Sequence, residues 1–479
     1  MKNYISIKKR ARMQIFVAAI GIIPFYSFAT NGMNMEGYGP VSAAMGGAGM
    51  SYDNGTAAIM NNPATLGLMQ DGLHLNVAAG FMNPSVSSNT QGSSATSFIM
   101  PALGVVKKDG KFAYGFGIFS QGGMGTEYPS SDYLGRLSSM AGNFVPSSSL
   151  INRSEVGVGR AILPVAWKID ETLTVGATLD YVWVSMDMQM LVDGKHFGSL
   201  MQPGAQMGSA GGSMVNAMNN AFALGQVTDV NWGYFDFSND NRWSGQAKGA
   251  GTGGKLGFTH KVNSKWTWGA SYHAKINFSD LVANSASLTF NMETPGGNAI
   301  QTLTGKLKVQ GFAWPNMYGV GASFKPDDEW LVVADIRRIG WADTMKKMSM
   351  RFDTSSALSN GSFANTSLDM SLNQNWKDQY VVMLGASYQA NDTWTYRGGL
   401  NLANNPVPAD VTNPLFPAVV TNHLTAGFQY KFSKYSAFDL SLSYAPQVTV
   451  VNSAALGATD NQKISHGQTN GQLLYSYRF

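Results

Sequence analysis

Cysteine is absent from the 479 residues, which excludes a disulfide framework and any thiolate chemistry. Charge is scarce as well: 13% of residues are Asp, Glu, Lys or Arg, against the ~25% usual for a soluble domain. No apolar run downstream of the N-terminus reaches the roughly 20 residues that a spanning helix needs. The six histidines (His74, His196, His260, His273, His423 and His466) are scattered without metal-ligand spacing. Neither a nucleophile elbow nor a phosphate-cradling glycine loop before a helix is present. A Ser-His pair assembled in space is the one enzymatic reading these gaps leave. What the chain has instead is 54 glycines, 11% aromatic residues and an ordinary 44% apolar content.

The first 29 residues read as a secretory signal. Lys2, Lys8, Lys9, Arg10 and Arg12 give a basic start, an apolar stretch over 15–25 follows, and Ser27-Phe28-Ala29 offers small residues for cleavage. A membrane anchor is the competing reading, but the apolar core is short for one. Cleavage after Ala29 removes five of the 33 basic residues and none of the 29 acidic ones, so the net charge falls from +4 to about −1. The basic balance of the whole chain is therefore no argument for nucleic acid.

From Leu73 onward apolar residues return at every second position. Phe112-Tyr114-Phe116-Ile118, Leu173-Val175-Ala177-Leu179-Tyr181-Trp183 and Trp330-Val332-Ala334-Ile336 are such faces. Tyr380 to Tyr388, Trp394 to Leu402, Leu424 to Phe432 and Phe438 to Tyr444 repeat the pattern. One long face is expected to hold Trp266, Trp268, Ala270, Tyr272, Ala274, Ile276 and Phe278 together. A period of two over 8–12 residues means strands whose two faces meet different solvents. Short polar turns such as Lys108-Asp109-Gly110-Lys111, Val262-Asn263-Ser264-Lys265 and Gln389-Ala390-Asn391-Asp392 join neighbouring strands. The opposite connections, 122–152, 192–242 and 404–423, are long, the asymmetry of an outer-membrane barrel. A soluble β-sandwich would seldom repeat Tyr and Trp at strand ends, as an interfacial girdle requires. The fold expected is an all-β membrane barrel of about fourteen antiparallel transmembrane strands. Its C-terminal Leu473, Tyr475, Tyr477 and Phe479 alternate up to a terminal aromatic, resembling the signal read by the barrel-assembly machinery.

Residues 30–70 do not alternate. Gly37-Tyr38-Gly39-Pro40, Met45-Gly46-Gly47-Ala48-Gly49 and Asn61-Asn62-Pro63-Ala64 punctuate short apolar pieces. The segment lacks the charge of a disordered tail and reads as a compact insert able to sit in the lumen. Here the chain resembles the long-chain fatty acid and hydrocarbon transporters of the outer membrane (FadL/TodX-like). The likeness begins at these three motifs and continues in order through Met124-Gly125-Thr126-Glu127-Tyr128, Pro164-Val165-Ala166-Trp167 and Trp268-Gly269-Ala270-Ser271-Tyr272. It ends with Trp394-Thr395-Tyr396-Arg397-Gly398-Gly399 and Asn405-Pro406-Val407-Pro408. The resemblance implies three parts: a signal peptide 1–29, an N-terminal hatch 30–70 plugging the lumen, and a barrel 71–479. It also implies lateral release of ligand beside a kinked strand, with Asn62, Pro63 and Ala64 as the hatch motif. By family position the exit is expected along 112–121. Phe416-Pro417-Ala418-Val419-Val420-Thr421-Asn422-His423 departs from the family by lacking an acidic and a basic residue, so contacts made by that pair are not expected here.

Candidate ligand contacts fall in two groups. Met214, Met218 and Phe222 recur at helical spacing in the loop 192–242 and would offer an adaptable apolar surface outside, or simply pack that loop. On the alternation register Asp180, His273, Lys275, Asp335, Arg337 and Arg397 face the lumen. There Lys275, Arg337 or Arg397 could hold a carboxylate, or the charges could pair with one another. The expectation is a monomeric, passive, hatch-gated outer-membrane transporter of small hydrophobic molecules, without enzymatic activity, nucleotide, metal or organic cofactor. Its surroundings would be outer-membrane lipid and lipopolysaccharide. From another class, a general diffusion porin or a surface-adhesion barrel with a purely structural plug fits the same alternation.

Overall fold

The computed structural model describes residues 31–89, 91–128, 150–202, 208–241, 244–453 and 462–479; the expected signal, 1–29, lies outside them. The alternating segments form long antiparallel strands. In chain order these are β1 (Gly72–Ser88), β2 (Phe98–Asp109), β3 (Phe112–Tyr128), β4 (Asn152–Lys168) and β5 (Leu173–Asp193). Next come β6 (Ala247–Lys261), β7 (Trp266–His273), β8 (Met317–Phe324), β9 (Trp330–Ile339) and β10 (Gln379–Gln389). The last are β11 (Trp394–Ala403), β12 (His423–Lys431), β13 (Ser436–Asn452) and β14 (Gln462–Arg478). Each pairs with its neighbour in this series, and β14 returns to β1 from His74↔Arg478 to Ser88↔Ile464. The ring is closed. Closure leaves the ring without a free terminal strand, whose unpaired backbone groups would each cost several kcal/mol in hydrocarbon.

The sheet is larger than the strand number expected from alternation: 21 strands join it. The surplus comes from the long connections, which are themselves strand-forming. The hairpin Leu281–Thr294 with Gly297–Gln310 pairs with Asp229–Asp236 and Lys347–Thr354 and carries the wall beyond the ring. No helix among the described residues is long and apolar enough to cross a membrane.

The outward faces are those expected. Phe112, Tyr114, Trp167, Tyr181, Tyr380, Tyr396 and Tyr475 are exposed on the outside of the ring. One face differs. Trp268 is 59% exposed, but Ile276 and Phe278, expected beside it, are 0% and 8% exposed. β7 ends at His273, and Ile276–Asn277 pairs instead with Ala313–Trp314 in a separate two-stranded sheet. The chain turns inward at Ala274 and Lys275, so the period of two continues while the wall it belongs to changes.

Residues 31–70 lie inside the ring as a short helix (Pro40–Ala43) and two turns of 3-10 helix, Gly55–Ile59 and Pro63–Leu68. They bond to inward groups on widely spaced strands. Gly46 N donates to Thr425 Oγ1 of β12 (2.9 Å), and Gly49 N and Met50 N donate to Asp335 Oδ2 of β9 (2.6 and 3.0 Å). Gln472 Nε2 of β14 donates to the Gly37 carbonyl (3.0 Å) and Ser323 Oγ of β8 to that of Ser51 (3.0 Å). Only a segment within the lumen can reach all of these.

Candidate functional site

Asn62, Pro63 and Ala64 fix the segment to the wall. Asn62 Oδ1 accepts from Ala64 N (3.1 Å) and caps the 3-10 turn, while Pro63 occupies its first position, where no N–H is needed. Asn62 Nδ2 donates to the carbonyls of Met50 (2.7 Å) and Phe258 of β6 (3.2 Å). The wall is thinned to receive the motif: a Cβ on Gly257 would lie 1.9 Å from Asn62 Oδ1, and one on Gly176 would lie 2.5 Å from Ala64 N. Glycine at these two strand positions is a packing requirement.

Most inward charges are spent on one another. Asp180 of β5 accepts from Arg160 of β4 (2.7 Å) and Lys255 of β6 (2.5 Å), with all three side chains at most 1% exposed. Arg160 Nε also donates to the Gln121 side chain of β3. Arg397 pairs with Asp439 (2.8 Å) and so serves the wall. Lys275 is not luminal: the turn at the end of β7 leaves it exposed, with Nζ 3.4 Å from the Asp343 carbonyl. Arg337 is buried and its Nη1 has no hydrogen-bond partner. Of the three candidate cations, it alone keeps inward bonding capacity.

Met214, Met218 and Phe222 do lie on a helix, Ser213–Ala223. Met214 and Met218 are buried and Phe222 is packed against the same apolar cluster, which includes Phe363 and Met370. The stripe holds the loop onto the strand Ser367–Asn373 and the turn Leu358–Phe363.

Among the described residues the wall is interrupted between β2 and β3, which the alternation did not reveal. The β2–β3 ladder runs from Asp109↔Phe112 up to Ala102↔Phe119 and stops, although both strands continue. Above that point Phe98–Pro101 pairs only with β1, and Gly122–Tyr128 only with β4. The gap ends where Ser94 N, in the connection before β2, donates to the Glu127 carbonyl of β3 (2.7 Å). A window is left between. The local chemistry favours it, because Pro101 has no N–H to give and the β3 register shifts between Ser120 and Gly122. The N-terminal segment takes the vacated bonds: Gly123 N donates to the Met33 carbonyl (3.0 Å), and Tyr38 Oη donates to that of Gln121 (2.7 Å). Burial pushes the Tyr38 hydroxyl up to about 12, keeping it a donor at ordinary pH. The expected exit segment, 112–121, meets the window only at its end, since 112–119 are fully paired.

Behind the window lies a cavity of about 520 Å³, lined largely by apolar side chains including Met33, Met82, Phe98, Met100, Met124 and Val158. Its roof is the connection 404–422, which folds into the barrel mouth. Leu415, Phe416, Ala418 and Val419 are buried, and the Pro414 carbonyl accepts from Tyr128 Oη (3.1 Å) and Thr126 Oγ1 (3.2 Å).

The family described as Outer membrane protein transport protein (OMPP1/FadL/TodX) matches residues 26–476. The chain belongs to this family. It is 21% identical over 94% of its length to the Long-chain fatty acid transport protein of Escherichia coli O6:H1, of which 90% is covered. Among solved structures it is similar to the toluene transporter TbuX of Ralstonia pickettii (31% identity, TM-score 0.74, 93% of this chain and 99% of that one). The toluene transporter TodX of Pseudomonas putida is also similar (27%, TM-score 0.76, the same coverage). A 90-residue match, 46% identical, spans 43% of an uncharacterized Chlorobium limicola protein.

As a member of this transport family the chain resides in the outer membrane. Besides the window, two parts of its site escaped sequence reasoning. The inward fold of 404–422 was hidden because a loop carries no period. The tryptophan stack Trp314, Trp341 and Trp376, with ring centroids 5.6 and 5.3 Å apart, bonds to the N-terminal segment through Trp314 Nε1 and Asn34 Oδ1 (3.0 Å). The only signal for it was that Trp314 falls in a stretch without alternation.

Proposed function

We propose that this protein carries small hydrophobic compounds, aromatic hydrocarbons or fatty acids, passively across the outer membrane. In this reading, residues 30–70 act as a hatch and the β2–β3 window as the exit. The observation that carries the reading is the coincidence of three features: an interrupted ladder, an apolar cavity at its inner edge, and a luminal segment bonded to the strand that forms the gap. A water-filled pore offers apolar solutes no favourable path, whereas a sideways exit leads them from the cavity into lipid without crossing water. The likeness to two toluene transporters supports the aromatic end of the range, and the fatty acid transporters support the other. Arg337 Nη1 would serve a carboxylate ligand once the hatch moves. The terminal Phe479, exposed beside β1, would be presented to the assembly machinery. A general diffusion porin is disfavoured by the segment that spans the lumen, bonded to strands on several sides.

Uptake of radiolabelled toluene and oleate by cells making the protein tests this, with Pro101→Cys/Ser120→Cys as the partner strain. Ser120 Oγ lies 3.1 Å from the Pro101 carbonyl, close enough for a cross-link over the window. Uptake above empty-vector cells, lost on oxidation and restored by a reductant, is expected. Unchanged uptake with the cross-link formed would place the exit elsewhere, and free passage of small sugars instead of either solute would return the porin.

A further inference from the structure

The cavity behind the window is mostly apolar; of its polar lining groups, Asn34 Nδ2, a donor, and His466 Nε2 are buried without a partner, and others are engaged. Ser120 Oγ donates to the Pro101 carbonyl (3.1 Å) and Ser185 Oγ accepts from Gly245 N (3.1 Å). Glu155 is paired with Arg153 (2.8 Å), and Gln468 Nε2 donates to Asn470 Oδ1 (2.8 Å). His466 of β14 is different. It lines the cavity at 6% exposure, and its Nδ1 lies 2.7 Å from the Pro417 carbonyl oxygen. A carbonyl can only accept, so Nδ1 carries the proton of that bond. In the neutral imidazole Nε2 is then an acceptor, and His466 Nε2 is buried with no partner.

A buried acceptor left empty is unfavourable, and binding sites use a few such groups to fix orientation and select ligands. The connection 404–422 that supplies the Pro417 carbonyl thereby sets both the tautomer and the aim of the ring. We infer that the cavity selects hydrophobic molecules bearing one hydrogen-bond donor, of the alkylphenol class, whose hydroxyl donates to His466 Nε2. A monoaromatic ring fits among Met82, Phe98, Met100 and Met124 with its hydroxyl toward β14, while a pure hydrocarbon of the same shape leaves Nε2 empty. The inference rests on the proposed transport reading and narrows its substrate.

The test compares initial uptake of radiolabelled p-cresol and p-xylene, which differ by hydroxyl against methyl, in cells lacking general porins. Wild type, His466→Phe and empty-vector strains are run together, with folding checked by heat-modifiable gel migration. The ratio of half-saturating concentrations, xylene over cresol, is expected to be about 5- to 10-fold higher in wild type than in His466→Phe, the size of one neutral hydrogen bond. A second arm needs no variant. 4-Methylanisole, whose oxygen accepts but cannot donate, should compete with labelled p-cresol no better than its isostere 4-ethyltoluene. A cresol preference that survives His466→Phe, or 4-methylanisole competing as well as unlabelled cresol, would overturn the assignment. If neither labelled solute enters faster than in empty-vector cells, the transport reading itself has failed.

Discussion

Between β4 and β6 the ladders run without a break, from Arg153↔Gln189 to Lys168↔Thr174 and from Leu173↔His260 to Met186↔Ala247. Between β2 and β3 the ladder ends at Ala102↔Phe119, with strand left over on both sides. Both regions alternate and both show aromatics to lipid, so their outward faces do not tell them apart. The difference lies inward. The sealed region stitches three strands together through Asp180, Arg160 and Lys255, while the open one has Pro101, a shifted register and glycines at 122, 123 and 125. Gln121 joins the two, because its side chain receives Arg160 and its carbonyl receives Tyr38. The sealed wall thus anchors the strand from which the open wall departs.

The largest expected effect falls on the sealed side. Asp180→Ala leaves Arg160 and Lys255 buried without their carboxylate and should cost about 3–5 kcal/mol, since an uncompensated buried charge is far worse than a lost pair. Urea titration of the folded barrel in detergent would read it. A change below about 1 kcal/mol would mean that water or a neighbour replaces the carboxylate, and the anchor argument would fail. Next is Gly257→Ala. Its new methyl would collide with Asn62 Oδ1, and since backbone on both sides is held, we expect a loss of about 1–3 kcal/mol. A hatch that lifts from β6 should also raise ion conductance in planar bilayers. Unchanged conductance with normal folding would show that the segment yields without opening the lumen.

Asn62→Ala is gentler, because it removes a cap and two donor bonds but adds no clash. About 0.5–2 kcal/mol is expected, with conductance between wild type and Gly257→Ala. The order of these two variants is the informative result. If Asn62→Ala leaks more, the cap governs the hatch rather than the fit of the wall around it.

Much of this architecture was legible in the sequence. Trp183, Tyr380 and Phe112 announce their outward faces because lipid and lumen impose a strict period of two, and Asn263 or Asp327 marks a tight turn through its own side-chain bonds. The register also identified Asp180 and Arg397 as inward. It could not say with whom they pair, since partners lie on strands joined by hydrogen-bond order and not by sequence spacing. Ile276 and Phe278 misled because a turn at Ala274 preserves parity while moving the chain to another sheet. The window was invisible for a related reason: alternation reports which face a residue is on, and a missing ladder changes no face.

The smallest expected effect on stability separates two arginines that the sequence treats alike. Arg397 is paired with Asp439, which is buried with it, so Arg397→Met strands a carboxylate; Gln429 Nε2 still donates to it, and the loss should stay below that of Asp180→Ala. Arg337→Met removes a group whose Nη1 has no partner. Losing a buried cation that is only partly satisfied should change stability by about 1 kcal/mol or less. Its consequence belongs to transport: oleate uptake should fall severalfold while toluene uptake stays the same, because only the carboxylate needs the guanidinium. Equal loss for both solutes would make Arg337 a structural support of the hatch. Unaffected oleate uptake would remove it from the ligand path and leave the cavity behind the window as the place where selectivity is decided.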